Sequence, residues 1–259
     1  MPVTVTHELG RDDGGYINLG TLGTLGSQML STAGKTFSFW IRTVDANNVI
    51  PMGFSWFAYP SMGPDYALFM LNMTWTTDYA GLANSVGIYC PTDNLSWFYT
   101  KATGVNFNDS QYHHHVMTWV GLTSNKPTQL DYYIDGVLTG GSWEDLSDGA
   151  VSGTANFGAD VNIGCARKST PGTRTDFCSF RLADYRIYDR GLVASEVKQI
   201  YQGRGRDNIS RGLHSRYPLR TTPINTGYHG VAAILTNEAG ITPTFNTDPV
   251  LSGVHKKVL

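Results

Sequence analysis

The chain has 259 residues, which suits one large sandwich-type domain as well as two small ones. Hydrophobic residues make up 41% and aromatic residues 12%, ample for a core, but charged residues only 15%. A net charge of −2 offers no basic field to attract nucleic acid, and no apolar run is long enough to cross a membrane as a helix.

Met1 to His7 lacks the basic and apolar regions of a secretion signal, so a soluble chain without such a signal is expected. Tyr16 to Gly20 reads as a first strand, followed by a Gly- and Ser-rich loop from Leu22 to Lys35. Phe37, Phe39 and Ile41 alternate with Ser38, Trp40 and Arg42, the period-2 pattern of a strand with one apolar side. Val49 to Ala58, Tyr66 to Trp75, Ser85 to Cys90 and Trp97 to Thr100 continue the series.

His115 to Val120 is the next expected strand, then Leu130 to Ile134. Asp135-Gly136 is the strongest hairpin signal, because a type I′ turn needs positive φ at both central residues. Val137-Leu138 starts the return strand, and 161–164 and 180–188 complete the set. One short helix is expected near 192–201, with Leu192, Glu196, Val197 and Ile200 on one side and Ser195 at its start. From Gly203 to Leu259 the chain is rich in Thr, Asn, Gly and Pro. It reads as a charged junction and an extended segment that packs on the sandwich of residues 1–202 or on a partner.

Cys90, Cys165 and Cys178 are too few for a disulfide framework. Cys165 and Cys178 flank an expected hairpin, and both a bridge and free thiols stay open. In His113-His114-His115 the outer two face one way on a strand, so at most two could share a metal ion. A packed strand histidine at His115 is the plainer expectation. No zinc spacing, Walker loop or nucleophile elbow occurs.

The motifs of the central stretch carry a resemblance. His115-Val116, Tyr133-Ile134-Asp135-Gly136, Asn162-Ile163-Gly164 and Arg186-Ile187-Tyr188-Asp189-Arg190-Gly191-Leu192, with Glu196 beyond, follow one another over roughly 90 residues. In order and spacing they resemble the laminin G-like members of the concanavalin A-like superfamily. His113 stands where those domains usually carry Trp, and Phe180 where Gly is common. The resemblance implies an all-β jelly-roll sandwich, and not by itself a chemistry. The stretch from Ile200 to Asp207, with Arg211-Gly212-Leu213, is also similar to tails that follow such domains in phage and virus-encoded proteins.

Hydrolases of this superfamily need two carboxylates facing one cleft. The chain has four glutamates, Glu8, Glu144, Glu196 and Glu238, and none is paired with another, so no enzyme is expected and a glycoside hydrolase ranks third. The first expectation is a structural or interaction protein: a virion surface or capsid decoration component that oligomerises or packs on a lattice. The alternative is a lectin-like carbohydrate-binding module. For that role Trp56, Tyr59, Trp97 and Trp143 are the candidate aromatic contacts, since any of them could stack on a sugar. The resemblance brings calcium into question as well, with Asp145, Asp148 and Asp160 as its weak candidate ligands; a solvated acidic loop is the plainer reading, and no cofactor is otherwise expected.

Overall fold

The computed structural model describes residues 34–42, 111–119, 131–139 and 182–217 with their side chains, and further strands by their backbone and pairing. Six strands and one helix form the part described with side chains. They are β1 (Lys35–Thr43), β2 (Tyr112–Trp119), β3 (Leu130–Ile134), β4 (Val137–Gly140), β5 (Phe180–Tyr188), helix α1 (Ala194–Gly203) and β6 (Leu213–Tyr217). The strands pair antiparallel in the order β4-β3-β2-β1-β5. Beyond β5 the chain uses both halves of that long strand. Phe180, Arg181 and Leu182 pair with Thr6–Leu9, which also pairs with Phe245–Asn246, while Tyr185 to Tyr188 pair with β6. A second antiparallel sheet runs in the order Trp143–Asp145, Ser96–Lys101, Ser85–Cys90, Phe69–Thr74, Met52–Trp56, Val161–Ile163, Gly15–Gly20, Ile234–Asn237. β3 and β4 lie against its Ser96–Lys101 strand. The architecture is the expected jelly-roll sandwich.

The first sheet is buried on both faces, which a simple alternation of apolar and polar residues does not foretell. On one face Phe39 stacks between His115 and Tyr185, and His115 stacks on Tyr132. On the other, Val116, Tyr133 and Tyr188 pack with Leu192, Val197 and Ile200 of the helical segment. Ser38, Trp40 and Arg186 share that second face and are equally buried, so the polar side of β1 is covered and not wet. Parallel-sheet strands are usually the ones buried on both faces; here an antiparallel sheet is capped by a docked helix.

The Asp135-Gly136 hairpin forms as its sequence demands. Asp135 has φ 52 and Gly136 φ 78, both left-handed, and Asp135 N–H donates to His114 O at 2.9 Å. A Cβ at 136 would also press on the Tyr201 ring at 3.1 Å, which favours glycine there further.

Helix α1 begins two residues earlier than a cap at Ser195 would place it. Its N-cap is Val193, so Ser195 lies inside the first turn. The capping oxygen comes from Glu196, whose carboxylate accepts from Val193 N–H at 3.1 Å. The same carboxylate takes both Arg190 nitrogens at 2.7 and 2.6 Å, tying the helix start to the end of β5. Thr36 and Thr118 complete the anchor by accepting Leu192 N–H at 2.9 and 3.1 Å. Glu196→Ala is expected to cost about 1 kcal/mol in urea unfolding, the size of a lost cap plus a half-exposed ion pair.

The segment from Gly203 does not open as a loose junction. Arg204 closes the helix in the left-handed conformation, with N–H donating to Ile200 O at 3.1 Å. Asp207 is bonded into the sheet, and β6, Ile234–Asn237 and Phe245–Asn246 all join the two sheets as strands. Helix α1 itself runs to Gly203.

Candidate functional site

The most concentrated chemistry among the described residues lies under α1. Asp184 interrupts β5 with φ 46 at a register shift between Ala183 and Arg186, a bulge that brings its carboxylate beside its own strand's arginine. Arg186 donates to Asp184 and reaches Asp207 with both terminal nitrogens at 2.7 Å each. Arg216 of β6 donates to the other Asp184 oxygen at 2.8 Å and to Gly205 O at 2.8 Å. Burial pushes the Asp184 carboxyl up, but the two guanidinium groups outweigh it and hold it below the ordinary carboxylate range. Burial pulls Arg186 down, and the two carboxylates more than reverse this, so it stays charged. Every strong donor and acceptor in this cluster is turned on another. It is a clamp that locks the post-helix segment to the sheet.

The three histidines are likewise engaged one by one. His113 Nδ1 meets Asp135 Oδ2 at 2.8 Å, His114 Nε2 meets Ser38 Oγ at 2.9 Å, and His115 Nδ1 meets the Tyr132 hydroxyl at 2.7 Å. His114 also sits between the Trp40 and Tyr201 rings. Burial first, then the Arg186 charge, pushes His114 down to about 3. Burial first, then His113, does the same to His115. Both are neutral core rings near neutral pH. Among the described residues no group of three or more His, Cys, Asp or Glu is placed to hold a metal ion.

The sequence candidates fall on the second sheet or outside the described residues. Tyr59, Asp148 and Asp160 lie outside, as do Cys165 and Cys178. Trp56, Trp97, Trp143 and Asp145 occupy strand positions whose register is defined. Trp97 stands opposite Tyr89, Tyr89 opposite Met70, Met70 opposite Ser55, and Ser55 opposite Asn162, which is paired with Asn18. One step along, Phe98, Ile88, Leu71, Phe54, Ile163 and Ile17 form the next row. The step after that holds Glu144, Tyr99, Gly87, Asn72 and Gly53.

Successive rows of a sheet belong to opposite faces. The row of Phe98 is wholly apolar apart from Asp145 at its edge, and Trp143 and Trp56 fall on its face, at alternate positions to Phe98 and Phe54. By sequence that face is the apolar one. Trp97, Tyr89 and Tyr99 belong to the other, with Ser55, Asn72, Asn162 and Asn18. The register thus separates the aromatic candidates: Trp97 falls in rows with amides and hydroxyls, Trp56 and Trp143 in the apolar rows. Tyr89 and Tyr99, which pattern reading had left among the ordinary strand residues, join Trp97. Alternation along Ser96–Lys101 was the signal that could have found Tyr99.

This face bears no concentration of charge. Glu144 is the carboxylate in its rows, and no second carboxylate stands at the paired positions named above. A band of rings and amides, with Glu144 and Lys101 as its charges, suits contact with hydroxyl-rich surfaces.

A sequence profile described as the Concanavalin A-like lectin/glucanases superfamily matches residues 12–198. No curated protein sequence matches the chain. Among solved structures, a putative carbohydrate binding protein from Bacteroides ovatus is similar with a TM-score of 0.56 and 13% identity, over 94% of this chain and 62% of that one. The chain therefore spans under two thirds of that protein's length. A native heptameric SAP-like pentraxin from Limulus polyphemus is similar with a TM-score of 0.51 and 11% identity, over 92% of this chain and 97% of that one. At such identities these likenesses establish the fold alone.

Proposed function

Since this chain belongs to the Concanavalin A-like lectin/glucanases superfamily, we propose that it is a non-enzymatic binding domain whose ligand is a neutral glycan, engaged across the face of Trp97, Tyr89 and Tyr99. The observation that carries the reading is the register. It sets three aromatic positions beside Asn72, Ser55 and Asn162 on the face opposite the apolar rows. Aromatic faces stack on the C–H side of a sugar ring, and amides and hydroxyls bond its hydroxyls. Hydrolysis needs a second carboxylate across a cleft from the first, and the rows supply only Glu144.

The test is a glycan array followed by calorimetry on the best neutral ligand. Trp97→Ala is expected to weaken binding by about tenfold or more, a loss of roughly 1.4 kcal/mol, with unchanged thermal stability. Trp143→Ala, on the apolar rows, is expected to lower stability instead. An array without any hit, or equal loss of binding in both variants, overturns the reading.

A second reading, a virion surface or capsid decoration component, is favoured by the charge content of only 15%. Its natural test, cutting the chain after Arg206, would also remove Asp207 and β6 from the sheet. Point variants on exposed residues are the cleaner probe of assembly.

A further inference from the structure

Three large apolar side chains stand exposed among the described residues, and all three border helix α1. Val193, at 59% exposure, is its N-cap. Val137 at 63% and Leu138 at 50% begin β4, which the helix contacts, and Gly136 before them lies against the Tyr201 ring near the helix end. Between these ends the surface is basic. After α1 the chain runs back beside it: Asp207 lies against Gly203, Ile209 packs on the cluster of Val197 and Leu192, and Arg211 O accepts from Arg190, which holds Glu196 of the first turn. Lys198 is exposed on the outer side of α1, Arg206 and Arg211 are exposed on the return segment, and Arg204 is half-buried at the turn between them. No hydrogen bond or ion pair among the described residues engages these four side chains, whereas Arg186, Arg190 and Arg216 are all paired. Those pairs take up Asp184, Asp207 and Glu196, which leaves Asp189 at the end of β5 as the exposed carboxylate of the stretch 184–216. Arg204 adds a second sign. It holds a left-handed φ of 46, where glycine is unstrained, with a side chain that none of these bonds uses.

Cations between apolar ends select among partners. A single nucleic-acid strand needs free aromatic rings, and the Tyr201 ring is already stacked on Trp40 and His114. A lipid surface needs an apolar stripe along the helix, and the outer side of α1 carries Ser195, Lys198, Gln199 and Gln202. An acidic polysaccharide has no use for Val193, Val137 and Leu138. A polypeptide supplies both chemistries. We propose that the outer surface of α1 and its return segment docks an acidic polypeptide segment, its carboxylates answered by Lys198, Arg204, Arg206 and Arg211, and apolar side chains at its two ends seated by Val193 and by Val137 with Leu138. Arginine forks hold carboxylates bidentately, and exposed charges make the contact salt-dependent. A helix of 10 residues is about 15 Å long, a span that about five extended residues cross. Helix α1 packs on the first sheet and Trp97 belongs to the second, so this docking and the proposed glycan binding are separable by mutation.

Fluorescence anisotropy tests this, with the full chain titrated into a labelled synthetic peptide of about five glutamates flanked by leucines at each end. Saturable binding that weakens in high salt is expected. Arg204→Gly is expected to weaken it several-fold while the melting temperature holds or rises, since glycine suits that backbone. The pair Arg204→Glu and Arg206→Glu is expected to weaken it at least tenfold, and Leu138→Ser and Val193→Ser a few-fold each. Trp97→Ala is expected to leave the peptide titration unchanged, so the two binding surfaces stand or fall separately. A wild type that ignores the peptide overturns the proposal, and binding that survives the arginine pair does so too. Equal binding of a peptide with serines in place of its leucines, or tighter binding of a sulfated polysaccharide or an oligonucleotide, makes the surface a general polyanion site and overturns the proposed partner.

Discussion

Arg186→Ala is expected to destabilise the protein by roughly 3–5 kcal/mol, because it strands two buried carboxylates at once. Arg186 is 1% exposed, and the Asp184 and Asp207 side chains it bonds are each 4% exposed. Removing one partner from a buried ion pair costs far more than the pair itself contributes, since the survivors keep their desolvation penalty. Arg216 would still hold Asp184 from the other side. Asp207 would lose its bidentate partner, and with it the tie between the post-helix segment and the sheet. Denaturant midpoints for wild type, Arg186→Ala and Asp207→Asn check this. A shift for Arg186→Ala under about 1 kcal/mol would contradict the clamp assigned to this cluster. Against a usual total of about 5–15 kcal/mol, the expected loss is enough to populate unfolded chain at 37 °C.

Acidification is expected to weaken the fold well before the carboxylates titrate. His114 and His115 have folded pKa values near 3 against an ordinary 6.5. The unfolded chain therefore takes up protons that the native state refuses. Their contribution to stability is complete above pH 6.5 and declines as pH falls from 6.5 toward 3. At about 1.4 kcal/mol per pH unit for each histidine, the loss by pH 5 is roughly 4 kcal/mol for the two together. Urea midpoints at pH 7.5 and 5.0 measure it, and His114→Gln is expected to remove about half the slope. Equal stability at the two pH values would mean that the two rings can be protonated in place. Below this range the Asp184 carboxyl adds its own loss. Its folded pKa is depressed, so its stabilisation is present above the ordinary carboxylate value and disappears as pH falls through the folded one.

Much of the fold was legible because its signals are local. Period-2 alternation marked β1 and β3, Asp135-Gly136 fixed the hairpin, and the run Arg186 to Leu192 marked the end of β5. What stayed hidden depends on contacts remote in sequence. Ser38, Trp40 and Arg186 look like a solvated strand face until α1 is laid over them. Asp184, Asp207 and Arg216 are ordinary charges in sequence; 21 residues separate Arg186 from Asp207, and only the return of β6 brings Arg216 to Asp184. The segment beyond Gly203 has too few apolar residues to suggest strands by itself. It forms them because the sheets provide edges for β6, Ile234–Asn237 and Phe245–Asn246. The proposed binding face was half visible: Trp97 was a candidate by residue type, but its separation from Trp56 and Trp143 needed the strand register.

The proposed binding on the Trp97 face can be tested residue by residue. The six tryptophans give six indole N–H resonances, assignable by single substitution. Titration with a neutral glycan that binds is predicted to shift the Trp97 indole resonance strongly while those of Trp56, Trp119 and Trp143 stay in place. Shifts centred on Trp143, with Trp97 unmoved, would contradict the assignment of this face as the binding surface.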